Sequence, residues 1–109
     1  MAMIFQVQPV DDGFLQFNLV DGQGELFLIG GEYETRDQVE GAIKDVRVGS
    51  LMSQQISKGQ TPSGHRFFVI KNTDGQVIAK STLFESEMNF DNALHHVKDN
   101  ACVAEITYS

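Results

Sequence analysis

The sequence predicts an α+β fold: two tandem β-β-β-α-β repeats forming a single, mainly antiparallel sheet with both helices on one face. Segments 13–47 and 64–98 align without a gap at a shift of 51 residues. In both segments, short runs with strand periodicity precede an apolar stripe with helix periodicity. The chain has 109 residues, 41% of them hydrophobic, which suits one domain. We therefore expect a single domain, 1–109, with a first repeat of about 1–53 and a second of about 54–109.

A β-hairpin is predicted in each repeat. Apolar residues alternate with a period of two in the expected strands, which are 16–20, 25–29, 67–71 and 76–80. Asp21 and Gly24 open and close the first turn, and Asn72 and Gly75 do so in the second. These residues favour a tight turn because glycine adopts positive φ at low cost.

A helix follows each hairpin. Thr35 and Gln38 match a capping box, and Ser86 begins a weaker version of it. The apolar stripes are Val39, Ala42, Ile43 and Val46 in the first helix, and Phe90, Ala93, Leu94 and Val97 in the second. We expect Gly49 and Asn100 to end the helices as left-handed residues after the last turn.

Further strands complete the sheet. The segment Met3–Gln8 is expected to open the first repeat, and Cys102–Tyr108 to close the second. The segment Leu51–Lys58 is expected to close the first repeat and also to open the second. One repeat alone buries too little apolar surface to be stable, so two repeats should share a sheet.

Several short motifs resemble a known family. They are Tyr33-Glu34-Thr35-Arg36 and Gly41-Ala42-Ile43 in the first copy, and Phe84-Glu85-Ser86 and Val97-Lys98-Asp99-Asn100-Ala101 in the second. The pattern resembles the YegP-like family of small uncharacterised proteins in its tandem-repeat form, with Glu87 standing where that family has a basic residue. The resemblance implies one sheet with terminal strands exchanged between the units, and it implies no established activity.

Composition excludes several classes of protein. The formal charge is −7, so we expect no nucleic-acid binding, although Arg36, Lys44 and Arg47 could cluster. The longest apolar runs have four residues, so we expect neither a membrane helix nor a signal peptide. With Cys102 as the single cysteine, a reducing, cytoplasmic location is expected.

The candidate interaction surface is the sheet face away from the helices. Phe27, Ile29, Phe67 and Val69 have the strand parity opposite to that of the expected core residues. An exposed apolar cluster of this kind marks an interface. We therefore predict a non-enzymatic binding or assembly module that docks a protein partner or a second copy. A twist, a bulge or the linker covering these residues is the alternative.

The competing prediction is a small-ligand site or an enzyme with polar groups near Glu34 and Glu85. These two glutamates are repeated at the shift of 51 residues, and they could act as acid and base only if a cleft joined them. We predict no catalytic residues, no metal site and no cofactor. The histidines His65, His95 and His96 lack metal-ligand spacing, and Cys102 is expected to fill the core rather than react.

Overall fold

The computed structural model describes residues 3–108. In that range the elements are β1 (Met3–Pro9), β2 (Leu15–Asp21), β3 (Leu26–Tyr33), α1 (Arg36–Gly49), β4 (Ile56–Gln60), β5 (Arg66–Lys71), β6 (Val77–Ser81), α2 (Glu87–Asn100) and β7 (Glu105–Tyr108). The strands form one seven-stranded sheet in the order β4-β5-β6-β3-β2-β1-β7. Neighbouring strands are antiparallel, except that β7 runs parallel to β1. The predicted α+β class with a single, mainly antiparallel sheet is confirmed.

The two hairpin turns form as predicted. Asp21 Oδ1 accepts two backbone N–H groups of its own turn, each at 2.9 Å. Asn72 Oδ1 accepts two equivalent groups, each at 3.0 Å. Gly24 and Gly75 have φ values of 83° and 84°, in the left-handed region that glycine adopts without strain. The local chemistry of each turn therefore sets the position of its hairpin.

The predicted helix N-termini and buried stripes are also confirmed. Thr35 Oγ1 accepts the Gln38 N–H, and Ser86 Oγ accepts the Asn89 N–H, both at 3.1 Å. The buried helix residues include every predicted stripe position: Val39, Ala42, Ile43, Val46, Phe90, Ala93, Leu94 and Val97. Sequence periodicity alone therefore identifies the helix surfaces that enter the core.

The prediction for the helix C-termini is wrong. Gly49 and Asn100 are the last helical residues, and Ser50 and Ala101 after them keep right-handed backbone angles. A Cβ atom at Gly49 would lie 2.7 Å from Cγ2 of Ile70. The glycine therefore serves the close approach of α1 to β5 rather than a left-handed turn.

The strands after the helices begin later than predicted. Short 3₁₀ turns occupy Ser53–Gln55 and Ala101–Val103, so β4 starts at Ile56 and β7 at Glu105. Cys102 is only half-buried in its turn, whereas the neighbouring alanines, 101 and 104, are buried. The turns carry the chain from a helix to an edge of the sheet, and an extended strand could not make that change of direction.

Aromatic contacts join the sheet to α2. The Phe68 ring of β5 meets the Phe90 ring of α2 edge-on, with centroids 6.0 Å apart. Phe5 and Phe17 make a similar contact between β1 and β2, with centroids 6.1 Å apart. Phe5, Phe17 and Phe68 have no exposed surface. Within residues 3–108, no helix has the length and apolar character needed to cross a membrane.

Candidate functional site

Three of the four predicted interaction residues form a cluster on one face of the sheet. In the strand register, Lys80 of β6 stands between Ile29 of β3 and Val69 of β5. Its ammonium lies 4.8 Å from the centroid of the Phe67 ring. Ile29 is 41% exposed, and Phe67 and Val69 are half-buried. We call Ile29, Phe67 and Val69 the open-face cluster.

A shallow depression adjoins the open-face cluster. It has a volume of about 290 Å³ and is lined by Ile29, Gly30, Gly31, Val77, Ile78, Ala79 and Lys80. Val77 is 57% exposed, which extends the apolar surface beyond the cluster. This face therefore combines apolar side chains with a recess between β3 and β6.

The prediction that Phe27 belongs to this open face is wrong. The side chain is only 9% exposed, and its ring centroid lies 5.4 Å from that of His96 in α2. The β2–β3 register shifts between Leu19 and Val20, with Phe27 as the extra residue on β3. A β-bulge breaks the alternation of side chains. Phe27 and Leu28 are consequently both buried.

Glu34 and Glu85 lie in separate cavities. Glu34 lines a cleft beside the start of α1, and its backbone N–H donates to Gln38 Oε1 at 3.0 Å. Glu85 lines a smaller recess with His65, and the His65 Nε2 to Glu85 Oε1 distance is 3.8 Å. The structure does not bring the two carboxylates into one cavity, so it gives no geometry in which they act as an acid–base pair.

The cleft at Glu34, which we call the first cleft, has a volume of about 610 Å³. Its walls come from the end of β3, from α1, and from the β5–β6 hairpin. Tyr33 contributes an aromatic wall, while Glu32, Glu34 and Asp45 contribute carboxylates. The volume is in the range of small-molecule sites.

A second cleft, of about 510 Å³, is built in the same way. All seven of its lining residues stand 51 positions from a lining residue of the first cleft. The pairs, first cleft then second, are Tyr33/Phe84, Gln38/Asn89, Gly41/Asn92, Ala42/Ala93, Asp45/His96, Gln76/Glu25 and Ile78/Phe27. Each cleft thus joins the helix of one half to the hairpin of the other. The second cleft has different chemical groups, because His96 stands at the position of Asp45 and Phe84 at the position of Tyr33.

Sequence reasoning predicted a polar site near Glu34, which lines the first cleft, but it missed the other walls of that cleft and the second cleft. The feature of the sequence that could have revealed the clefts is the shift of 51 residues, which also pairs Asp45 with His96 and Ile78 with Phe27. These pairs differ in residue type, so similarity did not reveal them. The walls also come from different halves of the chain, and only the folded structure brings them together.

The ionisation of Tyr33 can be used as a probe of the first cleft. Burial raises the pKa of its phenol, and the Asp45 carboxylate raises this pKa further. In a Tyr108→Phe background, we expect phenolate absorbance to give a Tyr33 pKa above about 10. Asp45→Asn should lower this pKa but leave it above the ordinary value, because burial is the larger cause. The raised pKa contributes stability that is present below pH about 10 and lost as pH rises through the folded-state pKa.

The control for this titration is Asp74→Asn, an exposed change on the β5–β6 turn. It should leave the pKa of Tyr33 unchanged. An unchanged Tyr33 pKa in Asp45→Asn would contradict the assigned electrostatic coupling across the cleft.

The remaining histidines and the predicted basic residues do not form a further site in the described part of the chain. Asn100 Nδ2 donates to the His96 carbonyl oxygen at 2.9 Å, and His95 is exposed. Among residues 3–108, no group of three or more His, Cys, Asp and Glu side chains could hold a metal ion. Arg36 contacts Tyr108 of β7 and Arg47 donates to the Ala104 carbonyl oxygen just before β7, so these two residues do not form a free basic cluster.

Comparison with known proteins places the chain in a family. The UPF0339 protein YegP of Escherichia coli K12 is 26% identical over 100 residues, or 92% of this chain and 91% of the relative. A UPF0339 protein of Pseudomonas aeruginosa is 33% identical over 98 residues, or 90% of this chain and 89% of the relative. The chain belongs to the YegP-like family. The resemblance drawn from the sequence motifs is therefore confirmed.

Two solution NMR structures have the same fold as this YegP-like chain. A UPF0339 protein of Shewanella oneidensis matches with a TM-score of 0.92 at 21% identity, covering 99% of this chain and 92% of that chain. The E. coli yegP protein, described as a protein of unknown function, matches with a TM-score of 0.90 at 24% identity, covering 100% and 94%. The domain of unknown function DUF1508 matches residues 63–107. None of these descriptions names an activity.

Proposed function

We propose that this YegP-like chain is a non-enzymatic binding or assembly module that docks a protein through the open-face cluster. The proposal is supported by the position of Ile29, Phe67 and Val69 around Lys80 on three neighbouring strands. Removing exposed apolar surface from water favours association. A second copy of this chain is the first occupant to test, because an isologous interface pairs the same patch of both subunits and this face offers both apolar side chains and a recess.

The proposal includes a single domain, 1–109, of two repeats, about 1–53 and 54–109, with both helices on one face of the sheet. Helix bounds that differ by 51 residues support the repeats, as do register shifts at Leu19/Val20 and Ile70/Lys71. Contacts of Phe68 with α2 and of Ile70 with α1 support the helix arrangement, because these two residues share one face of β5. The opposite face is then free to associate.

The single, half-buried Cys102 supports a cytoplasmic location.

The test is the double variant Phe67→Ser and Val69→Ser, with exposed Met88→Ser as the matched control. We expect the wild type and the control to associate with increasing concentration in analytical ultracentrifugation, and the double variant to remain monomeric and folded by circular dichroism. If the wild type stays monomeric and no partner is recovered by affinity capture, the proposal fails. Association that persists in the double variant would also contradict it.

The second candidate is a small-ligand site in the first cleft, with Glu34 among its polar groups. It is favoured by the juxtaposition of Tyr33 with the carboxylates of Glu32, Glu34 and Asp45. Such a cleft suits an organic cation, and agmatine is a suitable probe. Binding should lower the Tyr33 pKa, because a nearby cation stabilises the phenolate. A pKa that agmatine does not move would exclude this candidate for cations of that class.

A further inference from the structure

The last strand, β7, is held on the sheet by three side chains of α1. The Arg47 guanidinium donates to the Ala104 carbonyl oxygen just before β7. The Arg36 guanidinium lies 3.9 Å from the centroid of the Tyr108 ring. The Tyr108 hydroxyl donates to the Glu40 carboxylate. We call Arg36, Glu40 and Arg47 the strand clamp.

The strand register shows which backbone groups of β1 point away from β2 and toward β7. The Val10 N–H donates to the Phe14 carbonyl oxygen at 2.9 Å, which fixes the alternation of hydrogen-bonded pairs between β1 and β2. The backbone groups of Phe5 and Val7 therefore point away from β2. Those residues stand beside the second and fourth residues of β7 in the parallel register.

The opposite edge of the sheet has the same geometry but no added strand within residues 3–108. The Thr61 N–H donates to the His65 carbonyl oxygen at 2.8 Å, so the backbone groups of Ile56, Lys58 and Gln60 point away from β5. Ile56 and Lys58 are 51 residues after the two outward-facing residues of β1. Within residues 3–108 no segment takes the place of β7 here, because the segment that follows α1 is β4 itself.

One of the three corresponding positions of α2 carries the opposite charge. Glu87, Asp91 and Lys98 stand 51 residues after Arg36, Glu40 and Arg47. Within the described range, none of these three α2 side chains has a salt bridge, and none takes part in a side-chain hydrogen bond. The first clamp position has thus changed from a cation to a carboxylate, while the last remains a cation able to donate to a carbonyl oxygen.

We propose that the outer edge of β4 accepts an extended segment of another protein, running parallel to β4, with an aliphatic second residue and an arginine or lysine at its fourth position. The inference rests on the repeat proposed above, which makes β7 on β1 the template for the added strand. Main-chain hydrogen bonds to an exposed edge supply affinity in such complexes, and alternate side chains supply specificity. The second residue lies beside half-buried Ile56, as Ile106 lies beside Phe5.

The charges on α2 favour a basic residue at the fourth position of the partner segment. In β7 this position is Tyr108, which meets one cation and one carboxylate of the strand clamp. By the shift of 51 residues, the helix positions that correspond to Arg36 and Glu40 carry the exposed carboxylates of Glu87 and Asp91. The Lys58 ammonium, which lies 6.0 Å from the centroid of the Phe90 ring of α2, supplies one positive charge against these two carboxylates. A second copy offering its own β7 would bring tyrosine here, so a basic partner segment fits better.

The test uses two acetylated, amidated peptides of equal length, with isoleucine at the second strand position and either arginine or glutamate at the fourth. Titration of the labelled full chain should shift the amide signals of Ile56, Lys58 and Gln60. The arginine peptide should bind about tenfold more tightly than the glutamate peptide. The double variant Glu87→Lys and Asp91→Lys should reverse this preference, whereas exposed Asp74→Lys should preserve it.

A backbone variant provides a further check. Lys58→Pro removes an outward N–H that β5 does not use, so β4 should stay paired while peptide binding is lost. Equal affinity for both peptides would overturn the proposal, and so would the absence of β4 amide shifts at millimolar peptide. The proposal also fails if the β4 amide signals shift only with the concentration of the chain itself, through self-association, and not with added peptide. The Phe67→Ser and Val69→Ser variant should still bind the arginine peptide, which separates this edge from the open-face cluster.

Discussion

Phe90→Ala should lower the free energy of unfolding by about 3–5 kcal/mol, measured by urea denaturation. The Phe90 ring is only 2% exposed and lies 6.0 Å from the Phe68 ring and 6.1 Å from the Phe84 ring. Truncation therefore removes contacts with both β5 and the segment before α2, and it leaves a cavity.

The matched control is Met88→Ala on the same helix, because Met88 is 73% exposed. It should change stability by no more than about 0.5 kcal/mol. If Phe90→Ala leaves too little folded protein to measure, Phe90→Leu provides a smaller truncation. A loss below about 1 kcal/mol for Phe90→Ala would contradict the packing of this helix face.

Gly30→Ala should also destabilise the fold, by about 1–3 kcal/mol or more. A Cβ atom at Gly30 would lie no farther than 2.5 Å from three ring atoms of Phe17. Phe17 has no exposed surface, and its ring contacts Phe5 and Tyr33. The ring therefore cannot move aside without disturbing its neighbours.

Gly31→Ala is the control for this prediction, because it changes the adjacent residue. A Cβ atom at Gly31 would meet the Tyr33 hydroxyl at 3.6 Å, an ordinary contact distance. Thermal unfolding should show a clearly larger drop in Tm for Gly30→Ala than for Gly31→Ala. Equal drops would mean that the cost comes from the strand backbone rather than from the Phe17 ring.

Features set by local chemistry could be predicted from the sequence. The caps at Thr35 and Ser86 and the turns closed by Gly24 and Gly75 depend on a few adjacent residues, and each forms as expected. The helix stripes were predictable because a residue spacing of 3.6 per turn places them on one face.

Features set by contacts between distant residues could not be predicted. The bulge at Phe27 depends on the register between β2 and β3, and a single extra residue moves a side chain to the other face. Gly49 is required by Ile70 on another element, although its own sequence context suggests a helix terminus. The candidate clefts share this origin, since Tyr33 and Ile78 come from different halves of the chain.

The parallel pairing of β7 with β1 has a consequence during protein synthesis. Ile4 and Glu105 are neighbours in the sheet although they stand about 100 residues apart in sequence. On the ribosome, the edge of β1 must therefore wait, with the backbone groups of Phe5 and Val7 unpaired, until β7 has emerged. Unpaired strand edges make nascent intermediates prone to aggregation. The edge that β1 exposes is thus closed only when β7, made much later, pairs with it.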